Sequence, residues 1–198
     1  MEALVQAQRA LRLAHTTAVV LSNRPEAHGL ERARRLGVPH AVVGHFDNSG
    51  ERLSREEHER QLLEELEGHN VEFIVLAGYM RLLSPLMLER WGGRIVNIHP
   101  SLLPHFPGAH AHRDVLAAGP HMSGCTVHLV DEGMDTGVVL AQASVPVFPG
   151  DTEATLSRRI KIEEHRLYPQ VLSWIAEGRV TLGPDGAQVD GAPLHRVC

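Results

Sequence analysis

Short apolar runs alternate with amphipathic ones through the first half of the chain. Thr16–Ser22 is rich in β-branched residues and ends at Asn23-Arg24-Pro25, the pattern of a buried strand followed by a turn. Leu30, Ala33 and Leu36 then recur every three residues before Gly37, which predicts a helix closed by a glycine. Ala41-Val42-Val43 predicts a second short strand. Ser54-Arg55-Glu56-Glu57 has the spacing of a capping box and opens a helix that carries Leu62, Leu63 and Leu66 and stops at Gly68. Glu72–Ala77 is the clearest buried strand, and Arg94–Ile98 is another. Strands that alternate with helices imply parallel pairing with right-handed crossovers.

The second half changes character. Cys125–Val130 and Val138–Gln142 predict strands joined by a short polar loop, with no room for a helix between them, so they should pair antiparallel. A long helix follows from about Thr152 to Gly178, with Pro169 inside it as an expected kink. Residues 179–198 form a short Gly-rich tail that reads as a small hairpin or irregular cover. With no repeat and no linker, the expectation is one domain over residues 1–198. Its fold class is α/β, a doubly wound, mostly parallel sheet with antiparallel strands at one edge and a long C-terminal helix.

Composition narrows the function classes. The net charge of −5 gives no electrostatic support for a nucleic-acid partner, and no apolar run is long enough to span a membrane. The two cysteines, Cys125 and Cys198, stand far apart, which argues for a reducing compartment and a cytoplasmic address. The remaining partners are small-molecule substrates, with the protein a monomer or a homodimer.

Ligands of open α/β sheets sit beyond the carboxyl ends of the strands. One strand there runs into Gly78-Tyr79-Met80-Arg81, where Gly78 lets the backbone approach a ligand. Another ends Asn97-Ile98-His99-Pro100. Asn97 and His99 are two positions apart in a strand, so both side chains emerge on one face. A carboxamide beside an imidazole can donate to a developing oxyanion and move a proton. Pro100 and Pro104 stiffen the loop that follows. In Asp131-Glu132-Gly133-Met134-Asp135-Thr136-Gly137, turn geometry accounts for Asp131 and Gly133 but less well for Asp135. On the long helix, Glu164 fills a gap in the stripe Leu156, Ile160, Leu167, Val171, Ile175. A carboxylate there needs a partner, either a structural cation or a ligand's amine or hydroxyl. The chain holds 14 histidines, many of them crowded between His99 and His128. His110 and His112 are too close in sequence to converge easily on one ion, and cysteines are lacking nearby. Exposed loop histidines and no metal are the expectation.

Asn97–Pro104 with Phe106–His112, preceded by Leu76–Pro85 and followed by Asp131–Asp135 and then by Glu164-His165 with Tyr168-Pro169, resembles the phosphoribosylglycinamide formyltransferase family. The resemblance runs in order from Met1 to about Gly178. It implies transfer of a formyl group from 10-formyltetrahydrofolate, a cosubstrate, to the amine of glycinamide ribonucleotide in purine synthesis, with no metal. It places the catalytic residues on Asn97, His99 and Asp135. It places folate contacts on Arg55, Met80, Arg81, Leu82, Leu83 and Asn97, and ribonucleotide contacts on Gly78, Pro100 and Glu164. Related enzymes share this core: a methionyl-tRNA formyltransferase adds a C-terminal domain, and a formyltetrahydrofolate deformylase adds an N-terminal one. A ligand-binding form with little turnover is the alternative of a different class.

Members of the family open with a strand and a Gly- and Ser-rich phosphate loop before a helix, and Met1-Glu2-Ala3-Leu4-Val5 resembles the start of that helix. The expectation is therefore an N-terminally truncated domain, with Met1 an internal methionine or the truncation real.

Overall fold

A sequence-predicted capping box at Ser54 is formed in the computed structural model. The Glu57 N–H donates to Ser54 Oγ, and the Ser54 N–H donates to the Glu57 carboxylate. Residues 1–47, 49–183 and 186–193 are described. They fall into two compact units, one of Met1–Ile74 with Leu83–Arg94, the other of Val75–Leu82 with the described residues from Ile95 onward.

The first unit contains α1 (Glu2–Leu11), β1 (Val20–Ser22), α2 (His28–Arg35), β2 (His40–Val42) and α3 (Arg55–Gly68). After β3 (Ile74–Val75), which lies at the boundary of the two units, it adds α4 (Pro85–Trp91). β1 and β2 pair in parallel, Val20 opposite His40. Val5, Ala33 and Val38 form a small core with Met1, Val20 and Leu36 packed against it. Glu2 bridges to Arg32 and Arg35, tying α1 to α2. Glu59 on α3 is wholly buried and accepts hydrogen bonds from the N–H and Oγ–H of Ser84, the residue just before α4. α4 has no counterpart in the sequence expectations, although Ser84-Pro85 is a recognisable helix start.

The second unit contains β4 (Ile95–His99), α5 (Ala111–Ala118), β5 (Met122–Leu129), β6 (Val139–Pro146), α6 (Glu153–Ala176), β7 (Val180–Gly183), β8 (Gly186–Val189) and β9 (Ala192–Pro193). The strand order is β3-β4-β5-β6. The N–H groups of Ile74 and Leu76 donate to Arg94 O and Val96 O, stepping the same way along both strands, so β3 and β4 run parallel. β5 is antiparallel to β4 and to β6. These are the α/β class, the antiparallel edge and the long C-terminal helix expected from the sequence. The expected buried strand Glu72–Ala77 is reduced to Ile74–Val75 and is only half-buried, because β3 stands at the edge of this sheet.

α6 starts at a Thr152 cap and continues through Pro169. A proline inside a helix costs about 3 kcal/mol. The stripe Leu156, Ile160, Leu167 and Val171 is almost fully buried, and each such side chain contributes about 1.5–3 kcal/mol, which more than offsets that cost. β7, β8 and β9 pair antiparallel, which makes the described part of the tail a small meander. Cys198 lies outside the described residues.

Candidate functional site

β4 delivers Asn97 and His99 to a place where β5 and the β5–β6 loop converge. The antiparallel register sets Asn97 opposite His128 and His99 opposite Thr126. Asp135 enters from the loop with φ 56°, a left-handed conformation that Asp tolerates better than most residues. The turn chemistry of the loop holds it there. Asp131 Oδ1 accepts from the Gly133 N–H at 3.1 Å and from Thr136 Oγ–H at 2.7 Å. A Cβ on Gly133 would lie 1.9 Å from Thr136 Oγ1, and one on Gly137 would lie 1.8 Å from Leu129 O, so neither position has room for a side chain. Asp131 and Gly133 thus shape the turn, and Asp135 is the carboxylate they present.

Asp135 Oδ2 accepts from the Gly108 N–H at 2.8 Å and stands 3.3 Å from His99 Nδ1. On its other ring nitrogen, His99 Nε2–H donates to Phe106 O at 2.9 Å. The Nε2 contact is a hydrogen bond, whereas Nδ1 meets Asp135 in an ion-pair approach and not in a hydrogen bond, so the Nδ1 edge is not tied up. His128 is different. Its Nδ1–H donates to Leu129 O at 2.9 Å, which leaves Nε2 to accept from Asn97 Nδ2 at 3.2 Å. Burial lowers the His128 pKa, and the nearby Asp135 does not reverse that. The 3.6 Å approach of His128 Nε2 to Asp135 Oδ1 is therefore a contact of a neutral ring, not an ion pair.

The loop after β4 is anchored from below. Thr126 Oγ1 donates to Ser101 O and accepts from the Leu103 N–H and from Gln142 Nε2, which also donates to Leu103 O. Ser101 Oγ–H donates to His105 O at 2.6 Å. Phe106 O, the partner of His99, is thus part of a tied loop. Beside Asp135 lies a pocket of about 230 Å³ lined by Leu103, Pro104, Pro107, Met134, Thr136, Gly137 and Val139. It is an apolar slot with one carboxylate at its edge. The arrangement can present an amide N–H and an imidazole N–H to a developing oxyanion while a carboxylate supports the imidazolium.

Three of the expected site residues, Asn97, His99 and Asp135, come together, and Pro100 follows directly. Gly78 adopts φ 75° just past β3, with Met80 and Leu82 exposed after it and Arg81 half-buried. Arg55 is exposed at the first turn of α3 and Leu83 is buried, both in the first unit. Glu164 is half-buried on α6, where burial raises its pKa; among the described residues no hydrogen bond or ion pair reaches it. It lies near enough to Cys125 to add to the burial that pushes that thiol up to about 12. The sequence reading missed His128, Thr126, Gln142 and Gly108. Among the described residues no three His, Cys, Asp or Glu side chains form a metal-ligand set, and no helix is long and apolar enough to cross a membrane.

Residues 1–172 match the Formyl transferase family. Phosphoribosylglycinamide formyltransferase of Escherichia coli strain K12 is 41% identical over 196 residues, 98% of this chain and 90% of that protein. The trifunctional purine biosynthetic protein adenosine-3 of Drosophila pseudoobscura pseudoobscura is 49% identical over 160 residues, but this chain spans only 11% of its length. Among solved structures, glycinamide ribonucleotide transformylase 1 from Symbiobacterium toebii superposes with a TM-score of 0.87 at 43% identity, covering 95% of this chain and 87% of that one. The phosphoribosylglycinamide formyltransferase from Coxiella burnetii, solved with CHES, gives 0.88 at 38% identity, covering 98% and 89%. A formyltetrahydrofolate deformylase from Pseudomonas syringae gives 0.83 at 24% identity, covering 94% and 60%, a likeness of fold alone.

Proposed function

This chain belongs to the phosphoribosylglycinamide formyltransferase family, and from that premise we propose that it moves a formyl group from 10-formyltetrahydrofolate to the primary amine of glycinamide ribonucleotide. The observation that carries the reading is the grouping of Asn97, His99 and Asp135 at the end of β4, beside an apolar pocket. The amine nitrogen attacks the formyl carbon, and the carbonyl oxygen takes up negative charge. The Asn97 amide keeps a second N–H for that oxygen while its first is held by His128. On His99, Nε2–H is committed to Phe106 O, so the Nδ1 edge beside Asp135 serves the oxyanion. Asp135 supports the charged ring and receives the amine's proton through a water. As the bond from carbon to the folate nitrogen breaks, that nitrogen takes up the proton and tetrahydrofolate leaves.

Substrate contacts follow the same reading. Glu164, half-buried and bonded to no described residue, holds the acceptor amine; Gly78 and Pro100 flank the ribonucleotide. Met80 and Leu82 offer apolar contact to the pteridine and Arg81 suits the folate's anionic tail, while Arg55 and Leu83 are contacts that the family resemblance implies. Side chains supply every charge the step needs, so no metal is required. Strong chelation should leave the rate intact, and stoichiometric zinc by elemental analysis would overturn that part.

The deciding assay supplies both substrates and follows folate absorbance. Folate release that depends on glycinamide ribonucleotide is the expected result. Steady release without acceptor would make the chain a deformylase, dependence on formylatable tRNA would make it a tRNA enzyme, and binding without release would make it a ligand-binding protein.

A further inference from the structure

α6 sends one side chain across to two adjacent strands, past the end of β3 and at the second residue of β4. Tyr168 is almost fully buried, and its Oη–H faces two carbonyls, Leu76 O at 2.8 Å and Val96 O at 3.0 Å. A phenol has one proton, so that proton is shared between two strands. Burial raises the pKa of this hydroxyl well above its ordinary value, which keeps it a donor. The two carbonyls are placed suggestively. Val96 immediately precedes Asn97, and Leu76 lies two residues before Gly78. β3 has ended at Val75, and just past it the Leu76 N–H still donates to Val96 O. Beside that bond, the Tyr168 hydroxyl supplies a second tie between Leu76 and Val96. Glu164 lies four residues earlier on α6, one turn away on the same face.

We propose that Tyr168 is a positioning residue for formyl transfer: its shared hydroxyl proton fixes the separation of Leu76, which leads to Gly78, from Val96, which precedes Asn97. The proposal rests on the functional reading above. The segment with Gly78 flanks the nucleophile, and the strand with Asn97 carries the oxyanion donor. If the tie is removed, the two can part, and the amine and the formyl carbon lose alignment. A misplacement of about 1 Å costs about 10²-fold in rate.

The test is Tyr168→Phe, read in two ways on folded protein. The first reading is kcat against KM for both substrates. The expected result is a fall in kcat of about 10²-fold with KM for the folate near wild type. The second is NMR of the ligand-free protein: the Gly78 backbone amide and the Asn97 side-chain amide should both shift, with the α6 core signals unmoved. A purely structural hydroxyl would lower the melting temperature but leave the turnover of the folded molecules unchanged. 4-Aminophenylalanine in place of Tyr168 restores donors to the carbonyls and should recover the rate. Folded Tyr168→Phe with wild-type kcat, or with both resonances unmoved, overturns the proposal. Should Tyr168→Phe fail to fold, 4-fluorophenylalanine at that position fills the hydroxyl's volume without a donor, and the same two readings decide. An inactive wild type would sink the functional reading before any variant is made, whereas the resonances test the tie itself.

Discussion

The second unit contains two segments that face the proposed chemistry, and they are built in opposite ways. The loop carrying Asp135 is fully determined. Its glycines have no space for a Cβ, its turn is closed by Asp131, and its carboxylate touches Gly108, His99 and His128. The segment after β3 is open. A Cβ on Gly78 would meet nothing within 4 Å, and Met80 and Leu82 are 77% and 42% exposed. Reacting groups held before substrate arrives cost no reorganisation at the moment of reaction, whereas apolar side chains left in water gain their burial only when a ligand covers them. The first region should therefore govern kcat and stability, and the second should govern KM.

The largest effect tests the first half of that contrast. His99→Ala is expected to lower kcat on the order of 10²–10³-fold, the range for loss of one oxyanion donor, with folate binding little changed. Asp135→Asn keeps the shape but removes the charge beside His99 Nδ1, so it should lower kcat and shift the pH–rate profile together. Steady-state kinetics over pH and folate titration check both. If folate affinity fell as much as the rate, the division between the two segments would be wrong.

Next in size is Gly137→Ala. Its Cβ would sit 1.8 Å from Leu129 O, a backbone atom that cannot swing away. Overpacking of this kind costs about 1–3 kcal/mol, and for a chain of this length 1 kcal/mol moves Tm by about 2–4 °C. Gly78→Ala has open space but a positive φ, and should cost less, about 1–2 kcal/mol. Thermal melts of the two variants side by side should show the larger loss for Gly137→Ala; equal losses would mean that the Asp135 loop is no tighter than the segment after β3.

The sequence carries these regions unequally. Strand–helix alternation, the Ser54 cap and the shared face of Asn97 and His99 are local patterns, and local patterns were readable. His128 was not, because it sits among many histidines and its strand is buried on both faces, so no polar–apolar alternation marks it. Its partnership with Asn97 depends on the register of β4 against β5, which is a long-range property. The same holds for Gln142, which meets Thr126 only through the pairing of β5 with β6. The edge position of β3 is likewise a matter of which strands pair, and the apolar run Glu72–Ala77 by itself suggested a buried strand.

Met80→Ala addresses the open segment. If the side chain covers the folate, KM for the folate should rise severalfold, consistent with the loss of part of a buried methionine's roughly 1.5–3 kcal/mol. An unchanged kcat would mark the lost interaction as uniform binding. A drop in kcat with unchanged KM would move Met80 into the determined region.

The smallest effect is a pH dependence of stability set by His128. Its imidazole is buried, donates to Leu129 O, accepts from Asn97 and has Asp135, His99 and Asp131 as its charged or titratable surroundings. Burial is the largest influence, and it lowers the folded-state pKa below the ordinary value. Between those two values the unfolded chain binds a proton that the folded chain refuses, so stability rises with pH across the interval. The contribution is fully present above the ordinary imidazole value of about 6.5 and is lost as pH falls from there towards the lower folded-state value. Glu164 acts with the opposite sign: burial raises its pKa, so its ionisation removes stability as pH rises through the interval above the ordinary carboxylate value. His128→Gln separates the two, because it deletes only the imidazole titration. Comparing wild-type and variant melts at a series of pH values, Tm of the wild type should fall relative to the variant as pH drops below about 6.5, with a constant difference above it. A difference that stayed constant throughout the acid range would mean that His128 charges in the folded protein, and Asn97 would then have lost the acceptor that orients it.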